Sequence, residues 1–301
     1  MERIIPQHVQ IETINGVCSA RCVMCNIEDW TRKIRIMTRE EFAVILRKFL
    51  PYKDEIRFWT LHGFAEPLLD KDLHVKVRMA KELGFRGVGF ASNCTELDET
   101  CAKGLLEAGL DTIICSIDGA RKETHEKIRV KTNFDVVVAN VERFIRLRDE
   151  GGHKTRVMLR FIRQAANMEE WPEYKAYWSA RVDRSKRDEV VKFDVHNWGD
   201  QHEQYTGQDI HPDLPMEGLL CSDVFERMFI FSSGDVAHCC ADDNKFFEHG
   251  NVLTGDPIDI YNNEIFARYR RVMKDGKILS LKHCESCTIP RSRMLKTEQM
   301  V

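Results

Sequence analysis

The 301-residue chain reads as an α/β fold built on a parallel sheet, with a small cysteine-rich region at its C-terminal end. Short apolar runs alternate with longer amphipathic stretches, and the alternation recurs six times, as in sheets whose strands are joined by crossover helices. The amphipathic stretches carry helix punctuation, with capping residues before them and glycines just after. Beyond residue 196 the alternation stops and cysteines accumulate.

The elements follow in order. "VQIETIN" (9–15) reads as strand one, and a loop with Cys18, Cys22 and Cys25 comes directly after it. "TREEFAVILRKFL" (38–50) reads as a helix with Thr38 as N-cap, followed by strand two, "EIRFWTLH" (55–62). A helix over 71–84 ends at Gly84, strand three is "RGVGFAS" (86–92), and a helix over 98–109 opens at Asp98 and closes at Gly109. Strand four, "TIICSID" (112–118), precedes a helix over 134–151 that stops at Gly151. Strands five and six are "TRVMLRFI" (155–162) and "VVKFDVH" (190–196). In such folds ligands gather at the carboxyl ends of the strands, and the Cys18–Cys25 loop leaves strand one at that edge.

A polar, Gly/Pro-bearing stretch over 197–218 marks a boundary, giving a first unit at 1–200, a linker at 201–220 and a second unit at 221–301. The second unit contains a hairpin, "MFIF-SSGD-VAHC", and a helix around "NNEIFARYRRVMKDG". No repeat or low-complexity segment interrupts either unit.

Apolar residues make up 43% of the chain, ample for a core, and 45 basic against 48 acidic residues leave no basic footprint for nucleic acid. No run reaches the roughly 18 apolar residues of a membrane span, and the N-terminus lacks a secretory apolar segment. The expected compartment is the cytoplasm, where disulfides are rare, so eleven cysteines read as metal ligands plus a few buried thiols.

Cys18, Cys22 and Cys25 have the spacing C-x3-C-x2-C, one thiolate short of a closed structural site. Zinc normally takes paired Cys or Cys/His ligands that complete a tetrahedron, and Cys18 fits such a pairing poorly. A four-iron cluster offers four corners, so three thiolates leave one iron open to an exogenous ligand. Both readings stand on spacing alone, with the cluster the better fit.

At this loop the chain resembles the radical S-adenosylmethionine (radical SAM) superfamily, in the branch with a SPASM or shortened "twitch" C-terminal domain. "LHGFAEPLLDKDL" (61–73) is similar to the family's glycine-rich Glu-Pro segment after strand two, "SNCTEL" (92–97) to its strand-three end, and "SIDGARKETHEKIR" (116–129) to its strand-four loop. "CSDVFERMFIFSSGDVAHCC" fits the SPASM opening, with Cys221, Gly234 and Cys239 in place. Met24 stands where an aromatic residue is common, and Ala65 where a glycine usually precedes Glu66.

The resemblance implies a partial (β/α)6 barrel, a [4Fe-4S] cluster on Cys18, Cys22 and Cys25, and S-adenosylmethionine on its open iron. By the same resemblance Glu66 and the backbone of Gly63, Phe64 and Ala65 take the methionyl amine. Ser116 and Arg129 hold carboxylate and ribose, with Ser92 and Asn93 nearby. A full SPASM domain has seven cysteines; here only Cys221, Cys239, Cys284 and Cys287 match, so one auxiliary [4Fe-4S] cluster is expected, the twitch arrangement. Fully ligated, that cluster suits electron transfer better than substrate binding; a zinc ribbon is the alternative. Cys240 is a further candidate, as alternative ligand, buried thiol or hydrogen-atom donor. Cys94, Cys101 and Cys115 read as core thiols.

Strand alternation turns Arg156, Met158 and Arg160 inward on strand five and Lys192, Asp194 and His196 inward on strand six, with Val191, Phe193 and Val195 outward. The same logic turns Glu12, Thr60 and His62 inward. Of these, Glu12, Thr60, Arg160 and Lys192 are candidate substrate ligands, and His62, His196 or Asp194 a candidate base. Resemblance to twitch-type dehydrogenases of aminocyclitol biosynthesis implies oxidation of an alcohol on a sugar or aminocyclitol. An electron donor such as flavodoxin or ferredoxin would supply the cluster, and neither nucleic acid nor membrane is expected as a partner. The rivals are epimerisation with Cys240 as hydrogen-atom donor, modification of a ribosomal peptide, and a non-catalytic zinc module. The start of strand one near residue 9 leaves little room for a peptide-recognition domain ahead of it.

Overall fold

A computed structural model describes residues 3–200, 213 and 215–291, so positions 201–212 and 214 of the expected linker lie outside the described residues. One mostly parallel sheet organises the chain. Its strands are β1 (His8–Ile11), β2 (Phe58–Thr60), β3 (Val88–Ser92), β4 (Thr112–Ser116), β5 (Arg156–Arg163), β6 (Glu189–Asp194), β7 (Arg227–Ile230) and β8 (Val236–Ala237). They lie in the order β6-β5-β4-β3-β2-β1-β7-β8, and only the β7–β8 pair is antiparallel. The six strands β1–β6 form the open, partial barrel.

Helices α1 (Arg39–Phe49), α2 (Leu73–Glu82), α3 (Glu99–Glu107) and α5 (Phe134–Glu150) fall where the periodicity puts them. Thr38 closes a capping box with Glu41, and Asp98 accepts the Cys101 N–H at 2.8 Å. The expected helix in the second unit is α9 (Glu264–Lys274), capped by Asn263. Two helices were not legible from pattern: α4 (Lys122–Ile128), with only His125 and Ile128 buried, and α6 (Trp171–Ser179), whose "WPEYKAYWS" has aromatic residues on several sides. Two shorter ones, α7 (Asp223–Glu226) and α8 (Pro257–Tyr261), flank the hairpin.

The helices cover the outer face of the sheet. Val9, Ile11, Trp59, Phe90, Ile113, Val157, Leu159 and Phe161 are all but fully buried there, in one cluster with Phe42, Leu46, Val77, Leu105 and Phe144. Each such side chain contributes roughly 1.5–3 kcal/mol by leaving water. The opposite phase, with Gln10, Thr60, Ser116 and Arg160, faces the barrel interior.

Register corrects the expectation for strand six. Lys192 is level with Phe161 and Phe193 with Ile162, so Lys192 takes the outer phase and Phe193 the inner one. The Lys192 ammonium lies 5.5 Å from the Trp171 ring centroid on α6, while Phe193 and Val195 line the interior cavities described below. An edge strand is half covered on each side, so both phases carry apolar residues and alternation does not fix its direction.

Strand one also ends earlier than expected. After Ile11 the chain turns, and Ile14–Asn15 pairs antiparallel with Arg35–Ile36. The hairpin of the second unit joins the barrel sheet directly: β7 runs parallel to β1 from His8↔Arg227 to Ile11↔Ile230. Among the described residues no helix is long and apolar enough to cross a membrane.

Candidate active site and metal centres

At the carboxyl ends of the barrel strands a cavity of about 220 Å3 is lined by Cys18, Cys22 and Cys25 together. The Cys25 N–H donates to the Cys22 carbonyl at 3.0 Å, and Arg21–Cys22 pairs with Arg129–Val130, which fixes the loop against the strand-four segment. Burial, with smaller effects from neighbouring charges, pushes the Cys18 thiol up to about 11 and Cys25 up to about 12, and raises Cys22 as well. Half-buried thiols shifted this way are poor isolated anions, and a shared cationic group would make them thiolates. Among the described residues no three His, Cys, Asp or Glu side chains converge on a single point as around one ion. Cys18, Cys22 and Cys25 border one common space, where they could hold a group shared among them. Donors already surround them: Asn93 Nδ2 lies 3.6 Å from Cys18 Sγ, and Arg129 Nη1 lies 3.6 Å from Cys22 Sγ. Met24 packs with Ile128 and Val195 as an apolar cover.

The residues that the resemblance assigns to S-adenosylmethionine line this same cavity: Gly63, Phe64, Ala65 and Glu66 from one side, Ser92, Asn93, Ser116 and Arg129 from the others. Glu66 is buried, and its carboxylate accepts the Ser92 hydroxyl at 2.7 Å and the Asn93 and Leu68 N–H groups at 2.8 and 3.1 Å. Burial raises its pKa, against the pull of those donors. The Glu66 N–H reaches the Val17 carbonyl at 3.1 Å, tying this loop to the cysteine loop. Arg129 is 2.7 Å from Asp118. Burial alone would weaken its charge, but Asp118 and Cys22 outweigh that and hold it protonated. Gly63 has no room for a side chain, since a Cβ would stand 2.6 Å from Glu12 Cγ.

A second cavity, about 540 Å3, continues from the first and shares His62, Arg160, Asp194 and His196 with it. It also takes Gln10, Arg227 and Cys240. Arg160 Nη2 donates to Ser116 Oγ at 2.6 Å, while its Nε is buried without a partner among the described residues. Burial and the nearby Arg129 lower its pKa to about 10, so it remains a cation with donors unspent. His62 is pushed down to about 3 by burial and by Arg160 and Arg227. A base that weak holds no proton near neutrality. Asp194 pairs with Arg163 at 2.8 Å, and His196 Nδ1 accepts the Trp198 N–H at 3.3 Å.

Three expected substrate ligands lie elsewhere. Glu12 is fully buried in a bidentate pair with Arg32, at 2.8 and 2.9 Å, and accepts the Ser232 N–H at 3.1 Å. Thr60 is 2.7 Å from His8 Nε2, below the cavity, and Lys192 is on the outer face. Glu12 and Thr60 spend their polar atoms on neighbours that the sequence does not show, and Lys192 faces Trp171 instead of the interior.

Cys221, Cys239, Cys284 and Cys287 line a separate small cavity in the C-terminal unit, with His238 and Met273 beside them. Burial pushes Cys284 up to about 12 and raises Cys239 and Cys287 well above the usual thiol range. The donor set again suits a metal group shared by several thiolates. Cys240 turns the other way: it borders the second cavity, with Sγ 3.0 Å from Asp223 Oδ2. Cys94 and Cys115 are fully buried in the main core, and Cys101 packs against its edge.

Sequence reasoning missed the side chains that tie the cysteine loop and its neighbours to distant parts of the chain. Asn26, next to Cys25, donates to Asp243; Arg32 Nε donates to the Asp243 carbonyl at 2.5 Å; and Trp198 Nε1 donates to the Met24 carbonyl at 2.7 Å. Nothing local marks these residues, because every partner is distant in sequence.

The chain matches the family described as the radical SAM superfamily over residues 13–160 and an iron–sulfur cluster-binding SPASM domain over residues 221–288. Curated relatives include a probable GTP 3′,8-cyclase of Saccharolobus islandicus, 31% identical over 158 residues, which are 52% of this chain and 48% of the relative. Another, from Methanothermobacter marburgensis, is 28% identical over 43% of this chain and 41% of its own length. The chain thus aligns with about half the length of these relatives. Among solved structures, BtrN in complex with AdoMet and 2-DOIA has a TM-score of 0.63 at 17% identity, covering 95% of this chain and 94% of that one. SuiB of Streptococcus suis bound to S-adenosylmethionine has a TM-score of 0.66 at 16% identity, over 94% and 72% of the two chains. The cofactors of this family are a [4Fe-4S] cluster and S-adenosylmethionine, and the SPASM domain adds auxiliary iron–sulfur binding. With three thiols at the barrel mouth, four more in the C-terminal unit and both family signatures in register with them, the chain belongs to the radical SAM superfamily and carries a SPASM-type iron–sulfur domain.

Proposed function

We propose that this enzyme oxidises an alcohol of a small polar molecule, a sugar or aminocyclitol, to a carbonyl. The observation that carries the reading is the placement of the second cavity. It opens from the Cys18–Cys25 cavity at one end and is bordered at the other by Ser222, Cys240 and Ile289, neighbours of the auxiliary-site cysteines. A molecule held there lies between the two metal sites. When bound, the first cluster and S-adenosylmethionine supply one-electron cleavage to a 5′-deoxyadenosyl radical, which takes a hydrogen atom from carbon.

Cys18, Cys22 and Cys25 would hold the first cluster, and Cys221, Cys239, Cys284 and Cys287 the auxiliary one. Glu66 and the 63–65 backbone orient the methionyl amine, and Ser116 and Arg129 its carboxylate and ribose. Arg160, with its unspent Nε–H, binds a substrate oxygen. Alcohol oxidation removes one hydrogen atom, one proton and one electron. Asp194 or His196, which line the second cavity, would receive the proton, and a cluster held by Cys221, Cys239, Cys284 and Cys287 would accept the electron. The fold is similar to that of BtrN, a protein solved with AdoMet and 2-DOIA. Flavodoxin or ferredoxin is the proposed electron donor.

A second reading, epimerisation, is favoured by Cys240 bordering the substrate cavity. The test is anaerobic incubation of reduced enzyme with S-adenosylmethionine and candidate alcohols in heavy water. Oxidation yields 5′-deoxyadenosine and a product two mass units lighter. A product of unchanged skeleton carrying one deuterium, lost in Cys240→Ala, establishes epimerisation instead.

A further inference from the structure

Beside the four-cysteine cavity runs a buried polar chain that the reaction above does not use. His238, the residue before Cys239, lines that cavity and is 2% exposed. Its ring is held by Phe247 at 4.3 Å and Tyr269 at 4.4 Å between centroids. His238 Nδ1 lies 3.0 Å from His249 Nε2, and His249 Nδ1 lies 3.2 Å from Asn263 Nδ2.

The protons on this chain follow from Asn263. Its Oδ1 caps α9 by accepting the Phe266 N–H at 3.1 Å, and its Nδ2 donates to the His249 carbonyl at 3.0 Å. Turning the amide over would lose both bonds. Its Oδ1 is also the farther atom from His249 Nδ1, at 3.4 Å. Asn263 Nδ2 therefore donates to His249 Nδ1, which places the His249 proton on Nε2. That N–H donates to His238 Nδ1, and the His238 proton is left on Nε2. His238 Nε2 is buried and has no partner among the described residues. A buried donor without an acceptor is costly unless something absent from the protein atoms accepts it.

We infer that His238 donates its Nε2–H to a sulfur of the auxiliary cluster and so raises that cluster's reduction potential. The donor stabilises the extra negative charge of the reduced state, and hydrogen bonds to sulfur are among the features that set such potentials. The inference rests on the auxiliary iron–sulfur reading of Cys221, Cys239, Cys284 and Cys287, and is independent of which substrate is oxidised. His238 is then a positioning and tuning residue, which makes the cluster a better electron acceptor.

The test uses the full chain with Cys18, Cys22 and Cys25 changed to Ala, reconstituted anaerobically, so that the remaining iron signal is auxiliary. Redox titration followed by electron paramagnetic resonance compares His238 with His238→Leu and His238→Gln. Leucine is expected to disfavour reduction about tenfold, about 59 mV for one electron, and glutamine, which can offer an N–H, to recover part of that. With 15N-histidine, pulsed spectra of the reduced cluster are expected to show a weak nitrogen coupling that the leucine variant lacks. A potential unchanged within twofold in the reduction equilibrium overturns the inference. So does a coupling of directly bonded size, which would make His238 a ligand, and so does loss of iron from both variants, which would make it a structural support. No substrate is present in this experiment. Its outcome is therefore separate from the alcohol assay above: a potential shift here, with no oxidation by the intact enzyme there, supports the inference and counts against the proposed reaction alone.

Discussion

Replacing Arg32 by Met isolates a buried ion pair next to the candidate site. Glu12 is fully buried and Arg32 is 12% exposed, and they meet through two parallel bonds of 2.8 and 2.9 Å. Arg32→Met strands the Glu12 carboxylate with one remaining donor, the Ser232 N–H at 3.1 Å. Removing one member of a buried pair costs about 3–5 kcal/mol. The surviving bond puts this case at the lower end, about 3 kcal/mol, a large share of a typical domain's 5–15 kcal/mol. The complementary change, Glu12→Leu, leaves Arg32 with the Asp243 carbonyl and the Phe231 ring, 4.0 Å from its guanidinium. The double variant replaces a charged pair by two apolar side chains, so its loss is expected to be about 2 kcal/mol smaller than the sum of the single losses. Anaerobic urea unfolding of the reconstituted protein, followed by tryptophan fluorescence, measures all three. For a chain of this size the single change shifts the midpoint down by about 1 M. Single variants within about 0.5 kcal/mol of the parent, or losses that simply add, would refute the assignment of Glu12 to structure and return it to the substrate site.

Three further outcomes follow from the same geometry. Cys22→Ala is expected to lose the iron of the first site and keep that of the second, and Cys284→Ala the reverse; iron and sulfide analysis with electron paramagnetic resonance distinguishes them. Gly63→Ala places a Cβ 2.6 Å from Glu12 Cγ, and overpacking of this kind costs about 1–3 kcal/mol; equilibrium dialysis should also show weaker S-adenosylmethionine binding. His62 and His125 are both pushed down to about 3, chiefly by burial. Below the ordinary histidine value of about 6.5 the unfolded chain binds protons that the folded chain refuses, so stability falls as pH drops from about 6.5 toward 3. Each contributes a slope of up to about 1.4 kcal/mol per pH unit, and His62→Gln should flatten the measured slope by about that amount between pH 6.5 and 4.5.

How much of this was legible in the sequence depended on the range of the interaction. The cysteine spacing and the Gly-Phe-Ala-Glu segment are local, and all of their residues named above meet around one cavity. Strands one to five and the capped helices also announced themselves, because a buried outer face and a cap are properties of a few neighbouring residues. Strand six did not, since an edge strand carries apolar residues on both phases. Glu12, Thr60 and Lys192 looked like interior polar groups, yet their partners Arg32, His8 and Trp171 are set by packing across strands and helices. The long-range ties of the cysteine loop, Asn26 with Asp243 and Trp198 with Met24, link residues more than 170 positions apart and leave no periodic trace.

The parallel pairing of β1 with β7 has a practical bearing on how the protein can be handled. Cutting the chain near residue 200, where composition alone suggests a boundary, would strip β7 from β1 and leave four residues of unpaired, apolar strand edge from His8 to Ile11. Such an edge invites pairing between copies. The barrel half expressed by itself is therefore expected to precipitate or associate through that edge, and studies of one metal site without the other are better done by point substitution in the intact polypeptide than by dissection.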